Sequence, residues 1–311
     1  MRAAQIKDYG DTSVIHIDDI DIPKVSDDKV LVEAHASSLN PFDSKLRSGV
    51  MKETFPIQLP FTLGGDIAGV VLEVGKEVSG IAVGDDVYGQ AAAVAGNSGA
   101  LADFVVTNPQ QLSKMPSNLD FNQAASLPLV GVSALQALTT HIGLQSGQKL
   151  FIHGGAGGIG MVAIQIAKHI GAYVATTASD ENLALVKEIG ADEVIDYKTT
   201  DFSEALTDFD AVFDTVGGED FNKSLHILKN GGIAVSMAGQ ADEGLATQRG
   251  VQAISQSTHV TTEQLGKLTE FIEAGVVTPH VDTVFPLNDI VKAFESRESS
   301  AIKGKIVIQI R

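Results

Sequence analysis

The sequence contains no cysteine in its 311 residues. That absence excludes disulfide bonds, thiolate nucleophiles, iron–sulfur clusters and every zinc site built on sulfur. The sequence also lacks an uncharged apolar run of about 18 residues, the length that would predict a membrane span. Its first residues, "MRAAQIKDYG", lack the apolar stretch of a secretory signal. We therefore expect a cytoplasmic protein that does not insert into a membrane.

Basic residues are scarce, with 22 lysines and arginines against 39 aspartates and glutamates and a formal net charge of −17. Such a surface repels nucleic-acid phosphates and anionic lipids, so neither is expected as a partner. An anionic ligand would need a local device such as a helix N-terminus. Apolar residues make up 44% and charged residues 20% of the chain. That composition is globular, and the length favours two domains.

The pattern of predicted elements changes twice along the chain. The first part consists of short β-rich segments broken by turns, which predicts a barrel or a sandwich. From residue 122 strands alternate with helices, beginning with "KLFIH" at 149–153, and this α/β pattern predicts a doubly wound parallel sheet. The last part does not continue the alternation. We predict a first domain over 1–121, a nucleotide-binding domain over 122–265 and a return to the first domain over 266–311.

A glycine-rich turn, "GGAGGIG", follows the strand at 149–153 and precedes an apolar-periodic helix. Gly155, Gly157 and Gly160 match the G-x-G-x-x-G pattern, whose glycines serve a tight turn, close approach to a pyrophosphate and helix packing. The alternative is a simple corner between strand and helix. The alternating context favours a phosphate cradle, and its predicted cofactor-binding residues are Gly155, Ala156, Gly157, Gly158, Ile159 and Gly160.

The tip of the next strand bears on the type of dinucleotide. An NAD site has an acidic residue about 20 positions after the glycines. Here Thr177 and Ser179 occupy that window, and their hydroxyls are candidates to accept a 2′-phosphate, which favours NADP(H). Asp180 is one position further and no arginine or lysine is near in sequence, so NAD stays open. Ser179 alternatively only caps the next helix.

Two further loops follow strands of the predicted parallel sheet, and ligands of such sheets bind at the carboxyl ends of the strands. We therefore predict that Thr215, Val216, Ala238 and Gly239 contact the cofactor. His153, on the strand leading into the glycine turn, is interpreted as structural.

Three other stretches are "NPFDSKLRSG" (40–49), "LGGDIAGVVLEVG" (63–75) and "LPLVGVSALQAL" (127–138). Together with the glycine turn, they resemble the zinc-independent quinone oxidoreductase and enone reductase branch of the medium-chain dehydrogenase/reductase superfamily. The likeness extends in order over nearly the whole chain and ends in "GKIVIQI". It implies a GroES-like β-barrel domain, a Rossmann domain and an active site in the cleft between them. It also implies NADPH as donor and a homodimer.

The departures from the zinc-dependent members bear on the reaction. Zinc alcohol dehydrogenases of the superfamily have G-H-E where this chain reads Gly64, Gly65 and Asp66, and a cysteine ligand near the position of Asn40. No metal site is therefore expected. The resemblance implies hydride transfer from NADPH to a quinone or an α,β-unsaturated carbonyl. The alternative is a catalytically silent NADPH-binding sensor or structural protein, since a fold alone does not establish turnover.

The family stretch N-P-x-D-x-K is matched by Asn40, Asp43 and Lys45, which the resemblance makes the candidate catalytic residues. Asn40 is either a polar group near the nicotinamide and substrate carbonyl or a turn former. Lys45 either donates to the developing enolate oxygen or is solvated. Asp43 orients Lys45 or Arg47, or caps a helix beginning at Ser44.

Two more candidates depend on the resemblance. Ser133 stands where the family often has a threonine near the nicotinamide, and is otherwise a serine inside a helix. Tyr197 matches a family tyrosine near the adenosine, and otherwise covers the sheet. The substrate itself is expected to be a small molecule that the sequence does not name.

Overall fold

The structure, a computed structural model, describes residues 1–299 and 302–311. The chain forms two compact units, each built from separate segments. Unit 1 comprises Met1–Leu129, Val260–Glu273 and Pro279–Arg311, and unit 2 comprises Val130–His259 and Ala274–Thr278.

The main segment of unit 2 begins at Val130 and ends at His259, whereas the predicted nucleotide-binding domain runs from 122 to 265. Hydrogen bonds inside unit 1 account for both differences. The backbone N–H of Leu129 donates to Asp66 Oδ1 at 3.0 Å. The hydroxyl of Tyr88 donates to the carbonyl of Leu265 at 2.8 Å, and Leu265 is fully buried.

Along a strand with one packed face, buried and exposed residues alternate. A strand that is covered on both faces is buried along its whole length. In chain order they are β1 (Arg2–Ile6), β2 (Ile15–Asp19), β3 (Val30–Ser38), β4 (Phe61–Thr62), β5 (Asp66–Val74), β6 (Asp86–Gln90), β7 (Phe104–Thr107), β8 (Leu112–Lys114), β9 (Lys149–His153), β10 (Tyr173–Ala178), β11 (Glu193–Asp196), β12 (Phe209–Asp214), β13 (Leu228–Ser236), β14 (Gln252–Ser255), β15 (Val281–Pro286) and β16 (Lys305–Gln309).

The helices lie between these strands, and several of them end at a glycine in the left-handed conformation. In chain order they are α1 (Pro41–Ser48), α2 (Phe121–Ala125), α3 (Pro128–Leu135), α4 (Gly158–Ile170), α5 (Leu183–Ile189), α6 (Phe202–Ala205), α7 (Glu219–Ser224), α8 (Glu243–Arg249), α9 (Thr262–Glu273) and α10 (Ile290–Ser299). A π-helical turn over Gln136–His141 extends α3. In the described part of the chain, none of the helices combines the length and apolarity needed to cross a bilayer.

Unit 1 contains two sheets. The smaller has the order β2-β1-β4, and the larger has the order β15-β16-β3-β5-β6-β8 with β7 also paired to β3. Strand β16 is antiparallel to β3, with Val307 opposite Ser38, and it is buried from Ile306 to Ile308. The segment after residue 279 therefore supplies a central strand to unit 1.

Unit 2 contains a parallel sheet with the order β11-β10-β9-β12-β13-β14. This is the doubly wound arrangement that the strand–helix alternation predicts, and β9 and β12 flank the point where the strand order reverses. Helix α4 packs on β9 and β10 through an apolar face that includes Val162, Ala163 and Ile166. Strand β14 was not predicted, because its four residues have no clear hydrophobic pattern.

Candidate functional site

The glycine turn connects β9 to α4, and Gly157 is the N-cap residue of that helix. A Cβ atom on Gly155 would lie 2.2 Å from Thr176 Oγ1, and one on Gly160 would lie 2.2 Å from the carbonyl oxygen of Gly154. Protein packing therefore requires glycine at both positions. A Cβ on Gly157 would meet only the carbonyl oxygen of Gly154, at an ordinary 3.5 Å. Packing against the described residues therefore does not require glycine at that position.

The N-terminus of α4 is suited to an anion. The first N–H groups of a helix have no acceptor within the helix, and the helix dipole places partial positive charge there. The first turn, from Gly158 to Gly160, carries no acidic side chain. In a chain with a net charge of −17, this is the kind of local device that a phosphate needs.

The tip of β10 holds the glycine turn in place. Thr177 is 2% exposed, and its Oγ1 accepts a hydrogen bond from the N–H of Gly154 at 3.0 Å. The hydroxyl of Ser179 accepts one from Asn182 Nδ2 at 3.0 Å. The backbone carbonyl of Ser179 accepts from the N–H of Asn182, whereas its side chain makes no capping bond. Ser179 is the N-cap residue of the 3-10 turn over Asp180–Asn182, so its backbone serves the capping alternative whereas its side chain does not.

The parallel pairing of β10 with β11 brings a cation to this tip. The N–H of Tyr197 faces the carbonyl of Ala178, and Lys198 is the next residue. Both side chains are exposed, Tyr197 to 54%. The sequence argument missed Lys198 because it considered only neighbours along the chain. The strand register pairs Ala178 with Asp196, so Lys198 follows β11 at the same end of the sheet as the tip of β10.

A buried network links the ends of β9, β12 and β13. Asp214 is fully buried, and its Oδ1 lies 3.1 Å from His153 Nδ1 while its Oδ2 accepts from the Ser236 hydroxyl at 2.6 Å. Burial acts to raise the pKa of Asp214, but the hydrogen bonds from His153, Ser236 and Gly217 outweigh it and hold that pKa below its usual range. The ionised carboxylate is therefore the form that organises the network.

The same network shapes the two predicted cofactor loops. The N–H groups of Val216 and Gly217 donate to the Asp214 carboxylate, and those of Ala238 and Gly239 donate to Ser236 Oγ. Thr215 donates its hydroxyl to the carbonyl of His153 at 2.7 Å. His153, which sequence reasoning took as structural without a partner, thus helps to fix both loops. The side chains of Val216 and Ala238 stay exposed at the carboxyl edge of the sheet.

Ser133 lies elsewhere in unit 2, on α3 directly before the π-helical turn. It is fully buried, and its hydroxyl lies 2.7 Å from that of Thr258. Gln136 of the π-helical turn donates to the carbonyl of His259. Ser133 is thus tied to the segment that follows β14.

Unit 1 contains a separate buried polar cluster around Asn40. The carboxamide of Asn40 donates from Nδ2 to Asp66 Oδ2 at 2.8 Å and accepts at Oδ1 from Lys305 Nζ at 2.5 Å. Lys305 also donates to the carbonyl of Leu39 and lies 3.6 Å from Asp66 Oδ2. All four residues are 5% exposed or less. Lys305 was not predicted from the sequence, because it is distant from Asn40 along the chain and begins the β-strand pattern of β16.

Asp43 and Lys45 both lie on α1, which begins three residues earlier than the sequence suggested. Helix α1 begins at Pro41, not at Ser44, and Asp43 Oδ2 accepts the N–H of Asn40 at 2.7 Å in the first turn. Asp43 is buried, and the positive charges of Lys305 and Arg297 favour its ionised form. Lys45 is exposed on α1, and Arg47 donates to Glu298 and the carbonyl of Gly10.

Burial raises the pKa of Asp43 to about 6 and lowers that of Lys305. A carboxyl whose pKa is higher in the folded than in the unfolded protein loses stability on ionisation. The contribution therefore favours the folded state below pH 4 and is lost as the pH rises toward 6. We expect Asp43→Asn to gain about 3 kcal/mol of unfolding free energy relative to the unmutated protein between pH 4 and pH 7.

Urea denaturation at a series of pH values measures this gain. Asp28→Asn serves as the control, because Asp28 is exposed and the Ser26 hydroxyl holds its pKa below the usual range. Because the folded-state pKa of Asp28 is lowered, the difference between Asp28→Asn and the unmutated protein should change, with the opposite sign, mainly below pH 4 and stay nearly level between pH 5 and pH 7. The prediction would be contradicted if the difference in unfolding free energy between Asp43→Asn and the unmutated protein did not change between pH 4 and pH 7.

With this geometry in place, comparison with known proteins decides the family. A model of the alcohol dehydrogenase GroES-like domain matches residues 26–117, and a model described as zinc-binding dehydrogenase matches residues 189–308. The chain is 36% identical over 318 residues to 2-methylene-furan-3-one reductase of Solanum lycopersicum, which covers 99% of this chain and 79% of that protein. The chain belongs to the medium-chain dehydrogenase/reductase superfamily. Its predicted GroES-like domain and parallel Rossmann sheet are confirmed.

Other proteins similar to this medium-chain dehydrogenase/reductase include one curated relative and two solved structures. The NADPH-dependent alkenal/one oxidoreductase of Arabidopsis thaliana is 36% identical over 99% of this chain and 79% of its own length. The quinone oxidoreductase of Coxiella burnetii superposes with a TM-score of 0.91 at 34% identity, over 100% of this chain and 99% of that one. The quinone oxidoreductase of Escherichia coli, solved with NADPH, gives 0.90 at 26% identity and full coverage of both chains.

One matching description names zinc. Across residues 1–299 and 302–311 of this medium-chain dehydrogenase/reductase, the acidic and histidine side chains form no group of three or more that could hold a metal ion. Asp66, at the position of the glutamate in the zinc-dependent members, is instead bonded to Asn40, Ser38 and the N–H of Leu129. The quinone oxidoreductase and enone reductase relatives identify the branch as the zinc-independent one.

Proposed function

We propose that the protein is an NADPH-dependent reductase that passes hydride to a quinone or an α,β-unsaturated carbonyl without zinc. The observation that carries the proposal is the uncrowded Gly157 at the N-terminus of α4, next to the point where the strand order reverses. A dinucleotide binds across that point in doubly wound sheets. The named relatives reduce alkenals, enones and quinones by their printed names, and this supports the acceptor class.

The residues fit such a cofactor. A side chain at Gly157 would stand where a pyrophosphate must approach the backbone, and glycine keeps that approach open. When bound, NADPH supplies the hydride. In the proposal the turn holds the pyrophosphate, the tip of β10 with Tyr197 holds the adenosine half, and the loops after β12 and β13 with Ser133 hold the nicotinamide half. These residues are Gly155, Ala156, Gly157, Gly158, Ile159, Gly160, Thr177, Ser179, Tyr197, Thr215, Val216, Ala238, Gly239 and Ser133.

The cluster around Asn40 is proposed to serve the acceptor. Lys305 and Asp66 fix both ends of the Asn40 carboxamide, which keeps one N–H of Nδ2 for the substrate carbonyl oxygen. A donor that is already oriented stabilises developing negative charge without reorganising. Asp43 supports this by accepting the backbone N–H of Asn40. The exposure of Lys45 favours the solvated alternative for that residue.

A turnover assay tests the function. Oxidation of NADPH and NADH by the purified protein is measured against a panel of quinones and conjugated enones. The proposal expects turnover with NADPH and little with NADH. Binding of NADPH without turnover on every acceptor would support the silent sensor or structural protein instead, a reading that no relative's name favours.

Two further points concern the assembly of the protein and its location in the cell. We propose a homodimer, to be checked by light scattering. Cytoplasmic localisation stays a prediction, because the names of two relatives place them in the chloroplast and the mitochondrion.

Lys198 is proposed to recognise the 2′-phosphate, since its exposed side chain directly follows Tyr197, whose N–H faces the carbonyl of Ala178 at the tip of β10. An ammonium near a phosphate adds a charge-assisted contact that NADH does not use. We expect Lys198→Ala to raise the Kd for NADPH about tenfold and to leave that for NADH unchanged. Titration of NADPH and NADH fluorescence measures both constants.

Lys187→Ala is the matched control. Lys187 is also exposed, but it lies in the last turn of α5, at the opposite edge of the sheet. Equal losses for NADPH and NADH in Lys198→Ala, or equal effects of both variants, would rule out a specific contact with the 2′-phosphate.

A further inference from the structure

Gln256 follows β14 at the carboxyl edge of the parallel sheet and is 8% exposed. Its backbone N–H donates to the carbonyl of Ser236, the last residue of β13. The neighbouring Ser255 donates its hydroxyl to the carbonyl of Gly239 at 2.7 Å. Gln256 therefore belongs to the same edge as the loop over 238–239.

The orientation of the Gln256 carboxamide is fixed by one strong contact. Nε2 donates to the carbonyl of Ser133 at 3.0 Å, and a rotated amide would instead bring two oxygen atoms together. Oε1 is consequently the other end of the group. This oxygen is buried and has no hydrogen-bond partner among the residues that the structure describes.

A buried acceptor without a partner is costly, and native proteins seldom keep one without a reason. A purely structural role would need only the hydrogen bond from Nε2. An apolar side chain of similar length would fill the same volume and leave no oxygen without a partner. The pattern points to a donor that arrives from outside the fold. An N–H group is the partner that a carboxamide oxygen accepts.

The strand order indicates which part of a dinucleotide reaches Gln256. The glycine turn follows β9, and the ribose of the adenosine half is read at the tip of the strand next to it, β10. The other half then extends along the opposite side of the reversal point, over β12, β13 and β14. Gln256 lies on that side, beside Ser133 and Thr258.

We propose that Gln256 Oε1 accepts a hydrogen bond from the carboxamide –NH2 of the nicotinamide. This inference rests on the proposed cofactor and deepens it by naming a residue that orients the ring. The Ser133 carbonyl holds the glutamine amide, so Oε1 already has the orientation of an acceptor. A bond at the carboxamide fixes the rotation of the ring and hence the face from which hydride leaves.

The experiment compares ligands that differ at the nicotinamide. Gln256→Met keeps the length of the side chain and removes both polar ends, and Gln252→Met makes the same change at an exposed position of β14. The ligands are NADPH, its reduced 3-acetylpyridine analogue, which has a methyl in place of –NH2, and 2′-phospho-ADP-ribose, which has no nicotinamide. Calorimetry gives the three dissociation constants.

We expect Gln256→Met to weaken NADPH about tenfold, as for the loss of a buried hydrogen bond. The dissociation constants of the acetylpyridine analogue and of 2′-phospho-ADP-ribose should stay within a factor of two of those for the unmutated protein, which is about the scatter of such measurements. Gln252→Met should change none of the three. The unmutated protein should itself bind the acetylpyridine analogue more weakly than NADPH.

Each contrary result has one meaning. Equal weakening of all three ligands by Gln256→Met, or no weakening of any, would overturn the contact. If that variant does not fold, equal affinity of the unmutated protein for NADPH and the acetylpyridine analogue would overturn it as well. Failure of the unmutated protein to bind any of the ligands would reject the proposed cofactor itself.

Discussion

Gly157→Ala is expected to raise the Kd for NADPH about a hundredfold, because the added methyl separates the pyrophosphate from one or two N–H donors. The protein should lose less than about 1 kcal/mol of unfolding free energy, since a Cβ there meets only an ordinary contact of 3.5 Å. Its backbone angles, φ −78° and ψ 165°, suit alanine. Calorimetric titration and urea denaturation measure the two quantities.

Gly160→Ala is the informative control for that variant. Its Cβ would lie 2.2 Å from the carbonyl oxygen of Gly154 and 2.8 Å from the Cα of Gly155, so α4 or the turn must shift. We expect it to lose both stability and NADPH affinity. If Gly157→Ala binds NADPH as tightly as the unmutated protein, the phosphate does not approach this glycine and the cradle is not where we place it.

Lys305→Met is expected to lower the unfolding free energy by about 3–5 kcal/mol, the range found when one partner of a buried ion pair is removed. The ammonium lies 2.5 Å from Asn40 Oδ1, 3.0 Å from the carbonyl of Leu39 and 3.6 Å from Asp66. Without it, Asp66 keeps a buried negative charge beside Asp43. Activity should fall further than stability explains, because the Asn40 carboxamide loses one of its two anchors.

The double variant Lys305→Met with Asp66→Asn tests whether charge or packing stabilises the cluster around Asn40. Removing both charges leaves an amide whose single oxygen can still accept from the N–H of Leu129, and the Asn40 carboxamide, no longer held by Lys305, can turn its oxygen toward the new –NH2 group, so about half of the lost stability should return. The exposed pair between Lys292 and Asp289 gives the baseline, since Lys292→Met breaks a surface ion pair worth no more than about 1 kcal/mol. A double variant as unstable as Lys305→Met alone would indicate that packing, not charge, holds the cluster.

The sequence predicts the parts of the molecule that are encoded locally. Strand β9, the glycine turn and α4 occupy consecutive residues, and their hydrophobic periods and glycine spacing give the observed elements directly. The parallel sheet follows from the alternation that begins there. The family resemblance adds the barrel domain, whose short strands give only a weak signal of their own.

The missing parts depend on contacts between distant residues. Asn40 and Lys305 are separated by 265 positions, and no motif links them. Lys198 comes to the same end of the sheet as Ser179 only because β10 pairs with β11, and Asp214 meets His153 only because β12 pairs with β9. The sequence placed Asp43 at a helix start and offered Lys45 for catalysis, because spacing alone does not distinguish a buried from an exposed face of α1.

The late position of β16 has a consequence for biosynthesis. This strand lies between β15 and β3 and supplies Lys305, yet the ribosome delivers it only after all of unit 2 has been made. Until then the β3 edge that receives Val307 is unpaired and the carboxylate of Asp66 has no ammonium beside it. Unit 2 is therefore complete in the nascent chain while unit 1 still exposes a β-strand edge. During that interval the first domain is the part of the protein most in need of a chaperone.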